Sequence, residues 1–330
     1  MAERKVYSSI DLMKFLSAFL VIGIHTSPFE LTSSFIDYGF SILTRIAVPF
    51  FFVSSAFLYF SKENSLKRTI KYCKRILSLY FVWSALYMLF GFINAGYFDK
   101  EILFEFFETF AIQGYKHLWF LWAIFIAMLI VSIFDLYVKN DFIIYTVSLV
   151  LYSVGLVMST YAGLLFKIEG FEQIYNFVSF NIGFRNGLVY GLPFVLMGRY
   201  FAITDKKINI NKSVLGMVIS FIALAAESFF VIKIITTKDT ILWISTLPIL
   251  FFLFSLVLNI EIKENKILFF MRKSSVLMYC IHPMIITLLS GKISNNFILF
   301  TVVSILSVFI SFIVYELSNS KFFKFLKYIQ

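Results

Sequence analysis

Long apolar stretches separated by short polar intervals run the length of this chain. Stretches able to cross about 30 Å of hydrocarbon fall near 10–28, 38–60, 76–96, 118–138, 142–163, 184–203, 213–235, 241–260, 275–291 and 296–316. This pattern predicts an all-α, polytopic membrane bundle of about ten transmembrane helices. The interval 97–117 holds a further helical pattern too acidic to span. Its Glu101, Glu105 and Glu108 share one face, with Ile102, Phe106 and Phe110 elsewhere, which predicts a helix along the interface. Residues 1–9 are polar, and the apolar run that follows continues through Val21 to Pro28 without a small-residue cleavage pattern, so the first stretch reads as a retained span. Residues 1–330 read as one integral membrane domain with no soluble domain.

Composition agrees. Of 330 residues, 60% are hydrophobic and 15% charged, against roughly 45–50% and about 25% in a soluble domain. Cys73 and Cys280 offer neither metal-ligand spacing nor a disulfide framework.

The net charge of +10 would suit nucleic acid if the basic residues formed one surface, but here they lie between apolar stretches. With the N-terminus inside, the inner intervals hold 20 Lys and Arg and the outer ones 7, while Lys14 and Arg45 fall within spans. That asymmetry puts the N-terminus in the cytoplasm, and an even number of spans puts the C-terminus there too. The cations then serve as belts on anionic lipid head groups, which removes the nucleic-acid reading.

Ionisable groups within spans cost at least ~2.5 kcal/mol each and need a reason. The first span carries Asp11, Lys14 and His25. Lys14 and His25 are 11 residues apart, roughly 16 Å along the axis, and about 20° apart around it, so they share a face, Lys14 inward and His25 outward. Lys14 has snorkelling to the head groups as an alternative role. His25 has a carbonyl-bonded packing role as its alternative to taking and returning a proton. The second span carries Arg45, followed by Pro49 and the pair Ser54 and Ser55. A short connection makes the first two spans antiparallel neighbours, with Arg45 able to face His25. A kinked helix with small residues at a helix contact explains the same segment without chemistry.

The run Ile10-Asp11-Leu12-Met13-Lys14, with His25 eleven positions after the Lys, resembles the opening motif of acyltransferase family 3. Pro49-Phe50-Phe51-Phe52-Val53-Ser54-Ser55-Ala56-Phe57-Leu58 resembles that family's second-span block. Weaker echoes follow in family order at His117-Leu118-Trp119-Phe120-Leu121, Leu192-Pro193-Phe194-Val195-Leu196-Met197-Gly198 and Ile281-His282-Pro283. The family usually has Arg where Lys14 stands and Gly where Ala56 stands. Its pair of Arg three apart before the third span is replaced here by Lys71, Lys74 and Arg75. Segments Ile24-His25-Thr26-Ser27-Pro28 and Arg45-Ile46-Ala47-Val48-Pro49 also resemble the membrane portion of vancomycin-resistance serine racemases, a portion associated with serine uptake. Those proteins carry a soluble racemase domain, which is not expected here.

The resemblance implies a bacterial cell-membrane enzyme with no bound cofactor. It would transfer an acyl group, commonly acetyl, from cytoplasmic acyl-CoA to a hydroxyl of a surface carbohydrate or lipid-linked acceptor. His25 would be the base and Arg45 the oxyanion partner. Lys14, Lys71, Lys74 and Arg75 would receive the donor. Asp11, Ser54, Ser55, Trp119 and His282 would support the site, His282 serving as polar packing or as a second catalytic group. The competing expectations are a transporter of a small polar solute such as serine or of a surface glycan, and a membrane subunit without chemistry of its own.

Overall fold

A computed structural model describes residues 7–30, 34–97, 100–204, 208–235 and 240–320. Arg4, Lys5, Lys206, Lys207, Lys238 and the cations from Lys321 to Lys327, which enter the charge count, lie outside these residues, as do both termini. No strand occurs among the described residues. Thirteen α-helices do: α1 Ser8–Thr26, α2 Ser34–Thr44, α3 Ala47–Phe60, α4 Leu66–Ala95, α5 Lys100–Phe110, α6 Trp119–Tyr137, α7 Asp141–Met158, α8 Phe171–Asn181, α9 Leu192–Thr204, α10 Ile210–Phe230, α11 Thr246–Asn259, α12 Lys266–Leu289 and α13 Asn296–Asn319. In lipid only a helix or a closed barrel satisfies every backbone group, and these apolar sequences take the first route.

Eight helical segments of 18 to 30 residues are long and apolar enough to cross a membrane. All ten apolar stretches of the sequence are helical, but two fall outside this class. Helix α11 has only 14 residues, about 21 Å, and α12 carries Lys266, Arg272 and Lys273 within its 24 residues.

Several boundaries differ from those expected. Helix α4 starts at Leu66, ten residues before the apolar run, because the Ser65 side chain caps it by accepting from the Arg68 N–H and the basic residues that follow are good helix formers. Helix α12 likewise starts at Lys266 after the cap Asn265, which places Arg272 inside a helix rather than in a connecting belt. Helix α5 forms as expected and buries no residue; its Ile102 packs against Gly91 of α4. A second surface helix, α8, was not foreseen. It exposes Ile174, Phe177 and Phe180 and buries Tyr175.

The second apolar stretch is one span broken in two. Pro49 has no N–H to give the Arg45 carbonyl, and its ring collides with that carbonyl, so the ladder opens there. Arg45 and Ile46 form the break, with short-range bonds Arg45 N–H to Ile42 O at 3.1 Å and Ile46 N–H to Leu43 O at 3.4 Å.

The chain forms two compact units. The first comprises residues up to Ser54, the segment to Met217 that opens α10, and the chain from Leu250 onward. Here α12 packs chiefly on α1 and α13, and α1 also touches α13 and α2. Gly23 lets α2 come close: a side chain there would collide with the Phe40 ring at 2.4 Å. The Asn296 amide, at the start of α13, donates to the Ser27 carbonyl and to Glu30, fixing the turn after α1.

In the second unit, from Ser55 to Lys206 and Val218 to Ile249, α6 packs on α4, on α9 and on the π-turn Gly187–Gly191 that precedes α9. A polar clamp joins α6, α7 and α9. Arg199 donates to Asp135 through Nε at 2.9 Å and pairs with Asp141 at 2.9 Å, while the Asn64 amide donates to Asp135 and to the Ser132 carbonyl, each at 3.0 Å.

Candidate functional site

The polar residues of α1 occupy one stripe. Asp11, Phe15, Ala18 and Ile22 are buried at spacings of four, three and four, and His25 continues the series by three. Helix α12 has a matching stripe in Ser275, Met278, His282 and Ile285. Spacings of three and four let two helices pack side by side at a shallow angle. Three contacts fix their relation: Asp11 to Arg272, the Phe15 ring to the Phe270 ring at 6.3 Å, and His25 to His282. Early residues meet early residues and late meet late, so α1 and α12 run in the same direction.

At the late end the His25 and His282 rings lie 5.1 Å apart, centre to centre, tilted by 45°. His282 is fully buried and His25 exposed. His282 Nδ1 stands 3.1 Å from the Met278 carbonyl, an acceptor, so the hydrogen is assigned to Nδ1. In the neutral ring Nε2 is then the basic atom. The Tyr279 ring lies 6.2 Å from His282. Pro283, the next residue, withholds the N–H that the Tyr279 carbonyl would accept. Two imidazoles beside an opened helix form a place where a proton can be taken and handed on.

At the early end Arg272 Nε donates to Asp11 at 2.7 Å and its Nη2 pairs with Glu264 at 3.0 Å. Asp11 is buried, so its carboxylate needs this partner. Lys14, half-buried one turn on, adds its charge beside Asp11. The two ends are joined by one uninterrupted helix, 14 residues from Asp11 to His25, or roughly 21 Å.

The structure brings Asp11, Lys14, His25 and His282 together along one helix pair. Arg45 stands in the α2–α3 break. Ser54 is buried and its hydroxyl donates to Phe51 of its own helix at 3.2 Å, a packing role. The remaining expected residues belong to the second unit. Ser55 faces the Tyr72 hydroxyl. Lys71, Lys74 and Arg75, at spacings of three and four, lie exposed on one face of α4. Their neighbour Arg68 is engaged otherwise, donating to the Lys62, Glu63 and Tyr59 carbonyls and closing the loop before α4. Trp119 borders a cavity of about 600 Å³ and packs edge-on against Tyr190. Among the described residues, no group of three His, Cys, Asp or Glu could hold a metal ion.

Sequence reasoning missed Arg272 and Glu264. The available signal was Asn265, a helix-capping residue just ahead of the basic pair; reading it would have started the helix early enough to contain Arg272.

A family described as an acyltransferase domain matches residues 7–316. Similar curated proteins include an amino-acid racemase of Enterococcus faecalis, 25% identical over 85% of this chain and 41% of its own length. A serine/alanine racemase of Enterococcus gallinarum is also 25% identical, over 91% of this chain and 44% of its own. The chain thus spans less than half the length of these relatives. No solved structure matches it.

Proposed function

The chain belongs to acyltransferase family 3, and from that premise we propose that it moves an acyl group, acetyl in the first instance, from cytoplasmic acyl-CoA to a hydroxyl of a surface carbohydrate or lipid-linked acceptor. The observation that carries this reading is the His25–His282 pair at one end of the α1–α12 seam, with Lys14 beside Asp11 and Arg272 at the other.

Acyl-CoA presents phosphates, which the exposed Lys71, Lys74 and Arg75 attract, and Lys14 offers a further cation on the helix that carries His25. His25 takes the hydroxyl proton of the acceptor as that oxygen attacks the thioester carbon. The carbonyl electrons move onto oxygen, where Arg45 stabilises the charge. Collapse of the intermediate breaks the C–S bond, and the departing thiolate takes the proton back from the imidazolium. His282 holds the His25 ring in place and offers the second basic nitrogen. The roughly 16 Å between Lys14 and His25 is spanned either by the thioester arm or by a covalent acyl intermediate.

The proposed setting is a bacterial cell membrane crossed ten times, with both termini inside. Helix direction supports the count. Parallel α1 and α12 require an odd number of crossings between them, and seven result if the short α11 crosses along with the six longer spans.

A second reading is passage of a small polar amino acid such as serine, favoured by the relatives named amino-acid and serine/alanine racemases. Purified protein in proteoliposomes separates the two. Acyl-CoA turnover dependent on an external hydroxyl acceptor supports transfer, whereas labelled serine flux without that turnover supports passage.

A further inference from the structure

The 600 Å³ cavity of the second unit lies between the turn ahead of α6 and the end of α8, within the range of small-ligand sites, about 300 to 1,000 Å³. Its floor is apolar: Tyr175 and Phe184 belong to a buried cluster, and Ile241 packs on it. Trp119 forms a wall, and the polar rim is Gln113, Asn176 and Ser179.

Charge in this cavity is one-sided. Two cations, Lys116 and Arg185, line it, and no carboxylate does. Lys116 has Glu105 at 3.6 Å, an exposed and loose pair. The Arg185 guanidinium lies 6.0 Å from the Trp119 ring centre and has no carboxylate partner among the described residues. A guanidinium beside an indole, above a rim of amides and a hydroxyl, suits a ligand that is hydroxylated, partly apolar and anionic.

The walls are built firmly enough to hold such a ligand. The Gln113 amide donates to the Phe180 carbonyl, tying the segment after α5 to the end of α8. The Tyr115 N–H donates to the Tyr80 hydroxyl at 2.9 Å, which in turn donates to the Phe110 carbonyl at 2.7 Å. Gly114 has φ +88°, and any side chain there would strike the Trp119 backbone at 2.5 Å. Lys116 itself takes φ 51°, a strained conformation for a residue with a side chain. Asn186, the residue after Arg185, fixes this turn by donating to the Gly183 carbonyl at 2.7 Å and capping the π-turn.

We propose that this cavity binds an anionic saccharide, with Arg185 and Lys116 pairing with its carboxylate or phosphate and Trp119 lying against a sugar face. The proposal rests on the acceptor reading and orientation given above, which put residues 97–117 and 164–183 on the outer side. It identifies the acceptor class as an acidic glycan. A neighbouring cavity of about 440 Å³ shares Gln113, Asn176 and Ser179 and extends the site for further sugar units. Glu108 borders that extension, so the acidic group belongs at the Arg185 end.

The test is calorimetric titration of the full chain in lipid nanodiscs, without acyl donor. Four probes are compared: a trisaccharide with one uronic acid, its neutral methyl ester, a trisaccharide phosphate monoester, and inorganic phosphate. The expected result is that at least one acidic trisaccharide binds at least tenfold more tightly than the ester. Arg185→Gln and Trp119→Leu should each weaken it at least tenfold, and Arg185→Lys should retain part of the affinity, which shows that the fold survives. Preference for the uronic acid or for the phosphate ester tells which acidic group is read. The proposal is overturned if the ester binds as well as the acids, if inorganic phosphate alone binds as tightly, if Arg185→Gln titrates like the wild type, or if no saccharide binds by millimolar concentration. Because no donor is present, intact titrations in a protein that transfers no acyl group would sink the transfer reading and leave this site standing.

Discussion

The His25 and His282 rings lie 5.1 Å apart on helices from opposite ends of the sequence that run in the same direction. That direction constrains topology: a cysteine placed at Gly291, just after α12, should be labelled by an impermeant maleimide from the same side as one placed at Glu30, just after α1. A cysteine at Lys263, just before α12, should be reached only after permeabilisation. Native Cys73 and Cys280 are both buried and would first be replaced by Ser. Labelling of Gly291→Cys and Glu30→Cys from opposite sides would remove the ten-crossing arrangement.

The Asp11–Arg272 pair should behave as a buried ion pair. Asp11→Ala leaves Arg272 facing a desolvated gap, and Arg272→Ala strands the Asp11 carboxylate; each should cost about 3 kcal/mol. The double substitution should recover much of that loss, because no charge is left behind. Thermal melting of the four proteins in one detergent measures the coupling, and strictly additive losses would show that the pair does not interact.

Pro49 should matter for position rather than stability. Pro49→Ala restores the N–H that the Arg45 carbonyl lacks, so α2 and α3 can join into one helix. Stability should hold or rise, while the Arg45 guanidinium turns away and acyl transfer falls by tenfold or more. Circular dichroism and turnover together test this, and wild-type turnover in Pro49→Ala would show that the break is not needed.

Lys71, Lys74 and Arg75 share an exposed face of α4. Replacing all three by Gln should raise the KM for acyl-CoA about tenfold with little change in kcat, since these charges attract phosphates and take no part in bond making. Added salt should raise the wild-type KM in the same direction and change the triple variant little. An unchanged KM would place the donor elsewhere.

The apolar helices were legible because length and apolarity are local properties, and the acidic α5 was legible by the same rule. Helix starts were less so. Basic residues in the first turns of α4 and inside α12 read as connecting belts, although the caps Ser65 and Asn265 marked both true starts. Helix α8 was hidden by Glu172, Gln173 and Asn176 within a short sequence that buries little. His25 stood out as an ionisable group in a span, but its partner could not be read: pairing with His282 depends on how α1 and α12 meet. Arg185 carried no signal at all, since only folding sets it beside Trp119.

The most direct measurement is acyl transfer from acetyl-CoA by His25→Ala in proteoliposomes, with His25→Gln and His282→Ala beside it and protein levels matched. If His25 is the base, His25→Ala and His25→Gln should both fall by about 10²- to 10⁴-fold, and His282→Ala by a smaller factor. Wild-type turnover in His25→Ala would contradict the proposed mechanism.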